Sequence, residues 1–258
     1  MSSPIWTRVA LSSEFQQIDG ACWRVVEAQH RVSTMKLTDN FAEQALLEDL
    51  LEETKTTIPP DCRHLNYLLA TPFRYGAAYP TGSRFRRAGH TPGVFYAAER
   101  PETAMAELAF HRLLFFADSP ATPWPADAAE YTAFSVAISS ARLLDLMRAP
   151  LAQDQRLWTH LNDYAPCQSF ADAARAVDAD VIRYQSVRDP QAGANIAILA
   201  CRAFARPKPI ERQPWRMRLG ASGVQAFCDF PMARLEFPRD AFAADQRIAA
   251  LIWERDRR

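Results

Sequence analysis

The sequence predicts an α+β fold, on three observations. Helical patterning marks the first fifth of the chain and residues 101–116, and short apolar runs of strand type crowd the second half. The two kinds do not alternate in the regular way that a doubly wound sheet requires. At 258 residues, 48% hydrophobic and 23% charged, the chain can bury a sizeable core as one large domain or two small ones. Its 30 basic and 30 acidic side chains cancel, so no long-range field draws it to nucleic acid, and no direct nucleic acid binding is expected. No apolar run approaches the roughly 18 residues of a membrane span. The N-terminus, MSSPIWTRVALSSEF, has no apolar core of signal-peptide type. A cytoplasmic protein off the membrane is expected, with oligomeric state open. Cys22, Cys62, Cys167, Cys201 and Cys228 are odd in number, scattered and free of CxxC pairs, which predicts reduced thiols in place of a disulfide scaffold or zinc site.

Taken in order, Thr38, Asp39 and Asn40 offer capping side chains. Glu43 follows, and Ala45, Leu46, Leu47, Leu50 and Leu51 set a helical stripe that the prolines of TTIPP end. Residues 1–65 thus read as a mainly helical N-terminal extension and 66–258 as the main domain. Residues 65–75, LNYLLATPFRY, read as a buried extended segment broken at Pro72. A strand is expected at 94–97. Pro101 then suits the first turn of a helix reaching about residue 116, with Leu108, Leu114 and Phe115 on one side. The proline-rich run DSPATPWPAD is a loop. Strands are expected at 131–138, 143–147, 181–187, 196–204, 217–219, 224–228 and 234–237, with helices at 153–161 and 170–177.

The chemistry concentrates in GSRFRRAGHTPGVFYAAERPETAMAE, residues 82–107, and in YQSVR, residues 184–188. Glu107 falls early in the helix after a strand. A carboxylate beside a sugar carbon can stabilise the cation that develops when a glycosidic bond breaks. Read alone, it is more simply a solvated helix glutamate. Arg84 presents a planar fork that fits phosphate oxygens, and Phe85 beside it is a candidate to bury and fix its stem. Arg86 and Arg87 read as surface. Tyr96 ends an apolar run, where its ring could stack on a base or simply fill core. Ser186, near a strand end, could orient Glu107 or bond a ribose hydroxyl.

These residues resemble the RES-domain family, named for its Arg, Glu and Ser. Tyr96 and Glu107 stand eleven apart as in that family, and Arg84 precedes Tyr96 by twelve where about ten is usual, so the HTPG loop carries a short insertion. Phe85 stands where tryptophan is commoner. ETAMAELAFHR is similar to the family's alanine-rich helix, and Tyr184-Gln185-Ser186 with Asn195 resembles its serine-bearing segment. The likeness spans roughly residues 66–205. It implies a split, mostly antiparallel sheet with flanking helices, like the ADP-ribosyltransferase core, whose cleft holds NAD. It implies a toxin that cleaves NAD at the nicotinamide–ribose bond as glycohydrolase or phosphorylase, with NAD as substrate and no cofactor. By resemblance Glu107, Arg84 and Ser186 are catalytic, and Tyr96, Tyr184, Asn195 and a further arginine bind the substrate. That arginine is Arg74 or Arg24, Arg74 being nearer the motif. The resemblance also implies a helical antitoxin partner of the Xre type.

Two other classes are weighed beside this one: an ADP-ribosyltransferase acting on a protein, and a binding module without turnover. Glu107 and His111 are too few for a metal site, and no HExxH, GxGxxG, P-loop or GxSxG occurs. Gly220 to Gly223 reads as a tight turn. The six tryptophans are too dispersed to make a stacking platform and read mostly as core.

Overall fold

The computed structural model describes residues 6–28, 37–74, 82–89 and 92–255; Tyr75 and the His90–Thr91 part of the loop insertion fall outside them. Helix α1 (Arg8–Ser13) is capped by Thr7, whose hydroxyl accepts the Ala10 N–H. Strand β1 (Gln16–Glu27) follows, within the stretch expected to be mainly helical. Helix α2 (Phe41–Thr54) forms as patterned, with Asn40 accepting the Glu43 N–H at 2.9 Å, yet none of its residues is buried. Helix α3 (Tyr67–Arg74) replaces the extended segment expected at 65–75. A continuous apolar run cannot separate a buried helix from a buried strand. Asn66 settles the choice by accepting the Leu68 N–H at 3.1 Å, and Pro72 is tolerated near the helix end.

Strand β2 (Phe95–Ala98) leads into α4 (Pro101–Asp118), which opens on its proline as expected. Its deep face carries Met105, Ala109, Phe110, Leu113 and Phe116, while Phe115 is half exposed. The two strands expected at 131–138 and 143–147 are one, β3 (Ala129–Asp145), seventeen residues long. Then come α5 (Gln155–Trp158), α6 (Ala165–Arg175), β4 (Val181–Gln185), β5 (Ala194–Ile198), β6 (Glu211–Gly220), β7 (Gly223–Cys228), β8 (Ala233–Pro238) and α7 (Gln246–Ala249). Strand β6 exceeds its expected three residues because Gln213, Trp215, Met217 and Leu219 point inward between outward arginines and Pro214. The expected turn joins β6 to β7, and Gly223 there has φ +125°, a conformation that a side chain would strain.

The strand order is β1-β2-β5-β4-β3-β6-β7-β8, with β1 also paired to β3. All pairs are antiparallel except β3–β4. The double pairing of β1 closes five strands, β1-β2-β5-β4-β3, on themselves. The length of β3 makes this possible. One edge lies along β1 from Tyr131 to Leu143, while the other serves β6 first and β4 last. Helices lie against this mostly antiparallel sheet, with α3 in one core cluster and α6 in another. A third cluster gathers Trp124, Trp215, Trp253, Phe237 and Phe242 between α4 and β6–β8. There the Trp124 indole donates to the Trp253 carbonyl at 2.9 Å.

The expectation of five reduced thiols is corrected. Cys62 and Cys201, separated by 139 positions, meet with Cα atoms 5.4 Å apart and form a buried disulfide. Only the fold brings them together, so spacing held no sign of the pair. Cys22, Cys167 and Cys228 are free and buried, and burial pushes the Cys22 thiol up to about 12.

Because that bond closes so long a loop, Cys62→Ser should lower unfolding stability by roughly 2–5 kcal/mol. Urea melts of wild type with and without reductant should show the same gap, and coincident melts would contradict it.

Candidate active site

One register row builds the floor of the site. Trp23 on β1 faces Ala98 on β2, Ala98 faces Asn195 on β5, and Asn195 faces Tyr184 on β4. Directly paired residues project to the same side of a sheet. All four line a cavity of about 350 Å³, together with Arg24, Ser83, Arg84, Tyr96, Glu107, His111, Tyr164 and Arg188. Helix α4 begins three residues past β2, so its second turn places Glu107 on the wall above that floor.

Glu107 is half-buried, and two donors converge on one of its oxygens. Ser186 Oγ lies 2.7 Å and Asn195 Nδ2 2.6 Å from Oε1. The serine proton has one direction open to it. Ser186 Oγ already accepts the amides of Arg188 at 3.2 Å and Asp189 at 3.0 Å, so its own hydrogen points to the carboxylate. Both donors fall on Oε1, with no bond to Oε2 among the described residues.

The turn that carries Ser186 is built to hold this geometry. Ser186 N donates to Gly193 O at 2.8 Å, and Asp189 accepts the amides of Gln191 and Gly193. Asp189 also accepts the hydroxyl of Thr103 at 2.7 Å, which ties the turn to the first turns of α4. Gly193 is required there. A Cβ on it would run into Thr103 Oγ1 and the Asp189 carboxylate, and Thr103 has no free surface to retreat into.

Arg84 sits in a turn closed by Ser83 and Arg86. The Tyr96 hydroxyl braces both sides of it, accepting the Phe85 N–H at 2.9 Å and sharing a 2.8 Å bond with Ser83 Oγ. Phe85 is fully buried, as expected, and packs edge-on against Tyr184 at 4.8 Å. The Arg84 guanidinium donates to the Trp158 carbonyl at 2.7 Å and lies 4.7 Å from the Tyr164 ring centroid. No carboxylate pairs with it among the described residues, so its charge is not cancelled locally. Arg188 differs: its charge is met by buried Asp245 at 3.1 Å.

Arg84, Tyr96, Glu107, Tyr184, Ser186 and Asn195 therefore come together, Ser186 from directly behind Glu107. The Tyr96 hydroxyl is engaged in holding the arginine turn, leaving its ring to the cavity. Arg24 and Arg74 differ in placement. Arg24 lines this cavity and donates to the Tyr96 carbonyl at 2.8 Å. Arg74 pairs with Glu52 and lines a neighbouring cavity of about 800 Å³, which shares Arg24, Ser83 and Tyr96. Arg86, expected at the surface, is buried and lines that second cavity; Arg87 pairs with Asp172 at 2.6 Å.

Sequence reasoning missed Trp23, Tyr164 and Arg188 as wall residues. Only Arg188 carried a signal, two positions after Ser186. Burial pushes the Tyr184 phenol well above its ordinary value, and the nearby Glu107 charge adds to it. Tyr96 is raised by burial, offset in part by its bonds to Ser83 and Phe85. Among the described residues no group of three or more His, Cys, Asp or Glu could hold a metal ion. No described helix is long and apolar enough to cross a membrane.

The family model described as the RES domain matches residues 58–220 of this chain. No curated protein matches it. Among solved structures, the chain is similar to one from "Crystal structure of the M.tuberculosis MbcT-MbcA toxin-antitoxin complex", at 13% identity and a TM-score of 0.47, covering 81% of this chain and 91% of that one.

Gly193→Ala should cost roughly 1–3 kcal/mol, as overpacking does, read as a lower urea midpoint; an unchanged midpoint would show that the turn yields freely. A second expectation concerns pH. Tyr96 and Tyr184 have folded values above the ordinary phenol value of about 10. Their contribution to stability is intact below that pH and is lost as pH rises through the folded values. Phenolate absorbance of Tyr184→Phe and wild type should differ by one tyrosine that titrates only as the protein unfolds.

Proposed function

The chain belongs to the RES-domain family, and from that premise we propose that it is a toxin-type enzyme that cleaves NAD at the nicotinamide–ribose bond. One observation carries the reading: Glu107 and Arg84 line the same cavity, the first held by Ser186 and Asn195, the second free of any carboxylate partner among the described residues.

The nicotinamide end of the substrate enters beside Glu107, over the floor of Trp23, Asn195 and Tyr184. The bond from ribose C1′ to the pyridinium nitrogen breaks with its electron pair going to nitrogen, so nicotinamide leaves neutral and needs no strong acid. Positive charge grows on the ribose, and the unbonded Glu107 oxygen stabilises it from the cavity wall. Ser186 and Asn195 keep that oxygen in place. Water or phosphate then bonds to C1′ through oxygen and releases its proton, giving ADP-ribose or its phosphate ester. Arg84 takes the pyrophosphate or the ribose hydroxyls of the nicotinamide end. The remainder of the dinucleotide extends past Arg24, Ser83 and Tyr96 toward the larger cavity.

We read the closed strands with their extension as a variant of the ADP-ribosyltransferase-like sheet. Catalysis falls to residues 66–258, with the first 65 lending Arg24 to the wall. The partner proposed by family membership is a helical antitoxin of the Xre type that covers the cleft.

Purified protein should consume NAD and release nicotinamide. Glu107→Gln, which keeps the shape but removes the charge, should lower kcat by about 10²–10³-fold. No NAD loss with wild type would end the proposal, and undiminished turnover in the variant would remove the role given to Glu107. Chromatography of the products separates free ADP-ribose or its phosphate from a labelled protein acceptor.

A further inference from the structure

We propose that Asp245 is a positioning residue for the Glu107 carboxylate, acting through Arg188 and Ser186; the inference rests on the NAD-cleaving reading and adds to it a residue from beyond the family-matched segment. Asp245 has no exposed surface and Arg188 is only 5% exposed. Their ion pair at 3.1 Å is therefore dry. Asp245 is the carboxylate that meets the Arg188 charge, and a buried charge without a partner is costly.

Arg188 is held on three sides. Besides Asp245, its Nη2 donates to the Leu161 carbonyl at 2.8 Å, and its guanidinium lies 3.6 Å from the centroid of Phe110, three residues after Glu107 on α4. A side chain so fixed also fixes its own backbone. The Arg188 amide is one of the two that occupy Ser186 Oγ, and this occupancy turns the serine hydrogen toward Glu107. The chain of contacts runs from the Asp245 carboxylate to the Arg188 guanidinium, from the Arg188 amide to the Ser186 hydroxyl, and from that hydroxyl to Glu107 Oε1. If Asp245 loses its charge, the Arg188 head group leaves its dry seat for the cavity that it already borders. Its amide follows, the serine hydroxyl rotates, and Glu107 is left with one donor.

Asp245 has a second employment that a purely structural account would favour. It caps α7, accepting the Arg247 amide at 3.1 Å, and its two oxygens accept Arg247 Nε at 3.0 Å and Nη2 at 2.8 Å. The two accounts differ in what each variant does. If Asp245 serves only the cap and Arg247, then Arg247→Ala matters as much as Asp245→Asn. If Asp245 acts through Arg188, Arg247→Ala leaves turnover in place.

The experiment compares wild type, Asp245→Asn, Arg188→Lys and Arg247→Ala, each as the full chain and each at a temperature well below its own melting point. The expected result for Asp245→Asn and Arg188→Lys is a loss of kcat on the order of tenfold, the scale at which partners one layer behind a reacting group act. Arg247→Ala should stay near wild type. Hydrogen exchange supplies a readout independent of turnover: the Arg188 and Asp189 amides should lose protection in Asp245→Asn while those of β6 and β7 keep theirs. Unchanged kcat in folded Asp245→Asn overturns the proposal, as does a kcat loss without faster exchange at those two amides, or an equal loss in Arg247→Ala. Should Asp245→Asn not fold, Arg188→Lys decides by the same two readouts. Should wild type not consume NAD, the functional reading falls, and the exchange of the two amides still tells whether Asp245 holds the turn.

Discussion

Two hydrogen bonds on a single carboxylate oxygen are the constraint around which the site is built. A glutamate on a helix surface ordinarily samples several rotamers at little cost. Glu107 is prevented from doing so because a hydroxyl from the end of β4 and an amide from β5 both need Oε1 as their acceptor. That demand sets how close α4 must lie to the sheet, and the Thr103–Asp189 bond repeats it a turn earlier. Neither donor is free to choose another acceptor: Ser186 Oγ takes two backbone amides and Asn195 is buried. The result is a carboxylate whose position the fold decides, the preorganisation that the proposed stabilisation of a ribosyl cation draws on.

The arginine opposite is fixed by different means. Arg84 is held by a carbonyl, an aromatic face and a turn pinned by the Tyr96 hydroxyl. None of these cancels its charge. A neutral cradle keeps a guanidinium available to an anionic ligand, whereas a carboxylate would have quenched it. Arg188, which lines the same cavity, shows the contrary arrangement, neutralised by Asp245. Arg84 and Arg188 thus line one cavity in different states, one without a carboxylate partner among the described residues and the other paired with Asp245.

Much of this support comes from outside residues 58–220. Strand β1 closes the five-strand array and brings Arg24 and Trp23 to the cavity. The segment after β8 packs its tryptophan under α4 and delivers Asp245. The disulfide ties residue 62, at the start of the matched segment, to the turn after β5. The ends of the chain are thus as much a part of the site's rigidity as the motif-bearing middle.

The sequence by itself determined the local elements and the chemical cast. Pro101 opened α4 where expected, the apolar runs and the turn at Gly220–Gly223 marked β6–β8, and Arg84, Tyr96, Glu107, Tyr184, Ser186 and Asn195 could be named through the family resemblance that their spacing carries. What it could not fix was anything settled by packing. The apolar run at 65–75 fitted helix and strand equally, Arg86 looked like surface, and nothing in the spacing of Cys62 and Cys201, or of Arg188 and Asp245, marked them as partners. Arg24 borders the smaller cavity because of sheet register, since the row that carries Trp23 to Ala98 brings β1 against it, while Arg74 at the end of α3 lines the larger one. Local propensity acts over a few residues and can be read from them; pairing across 57 or 139 positions is decided by the closure of the sheet, which exists only once the chain has folded.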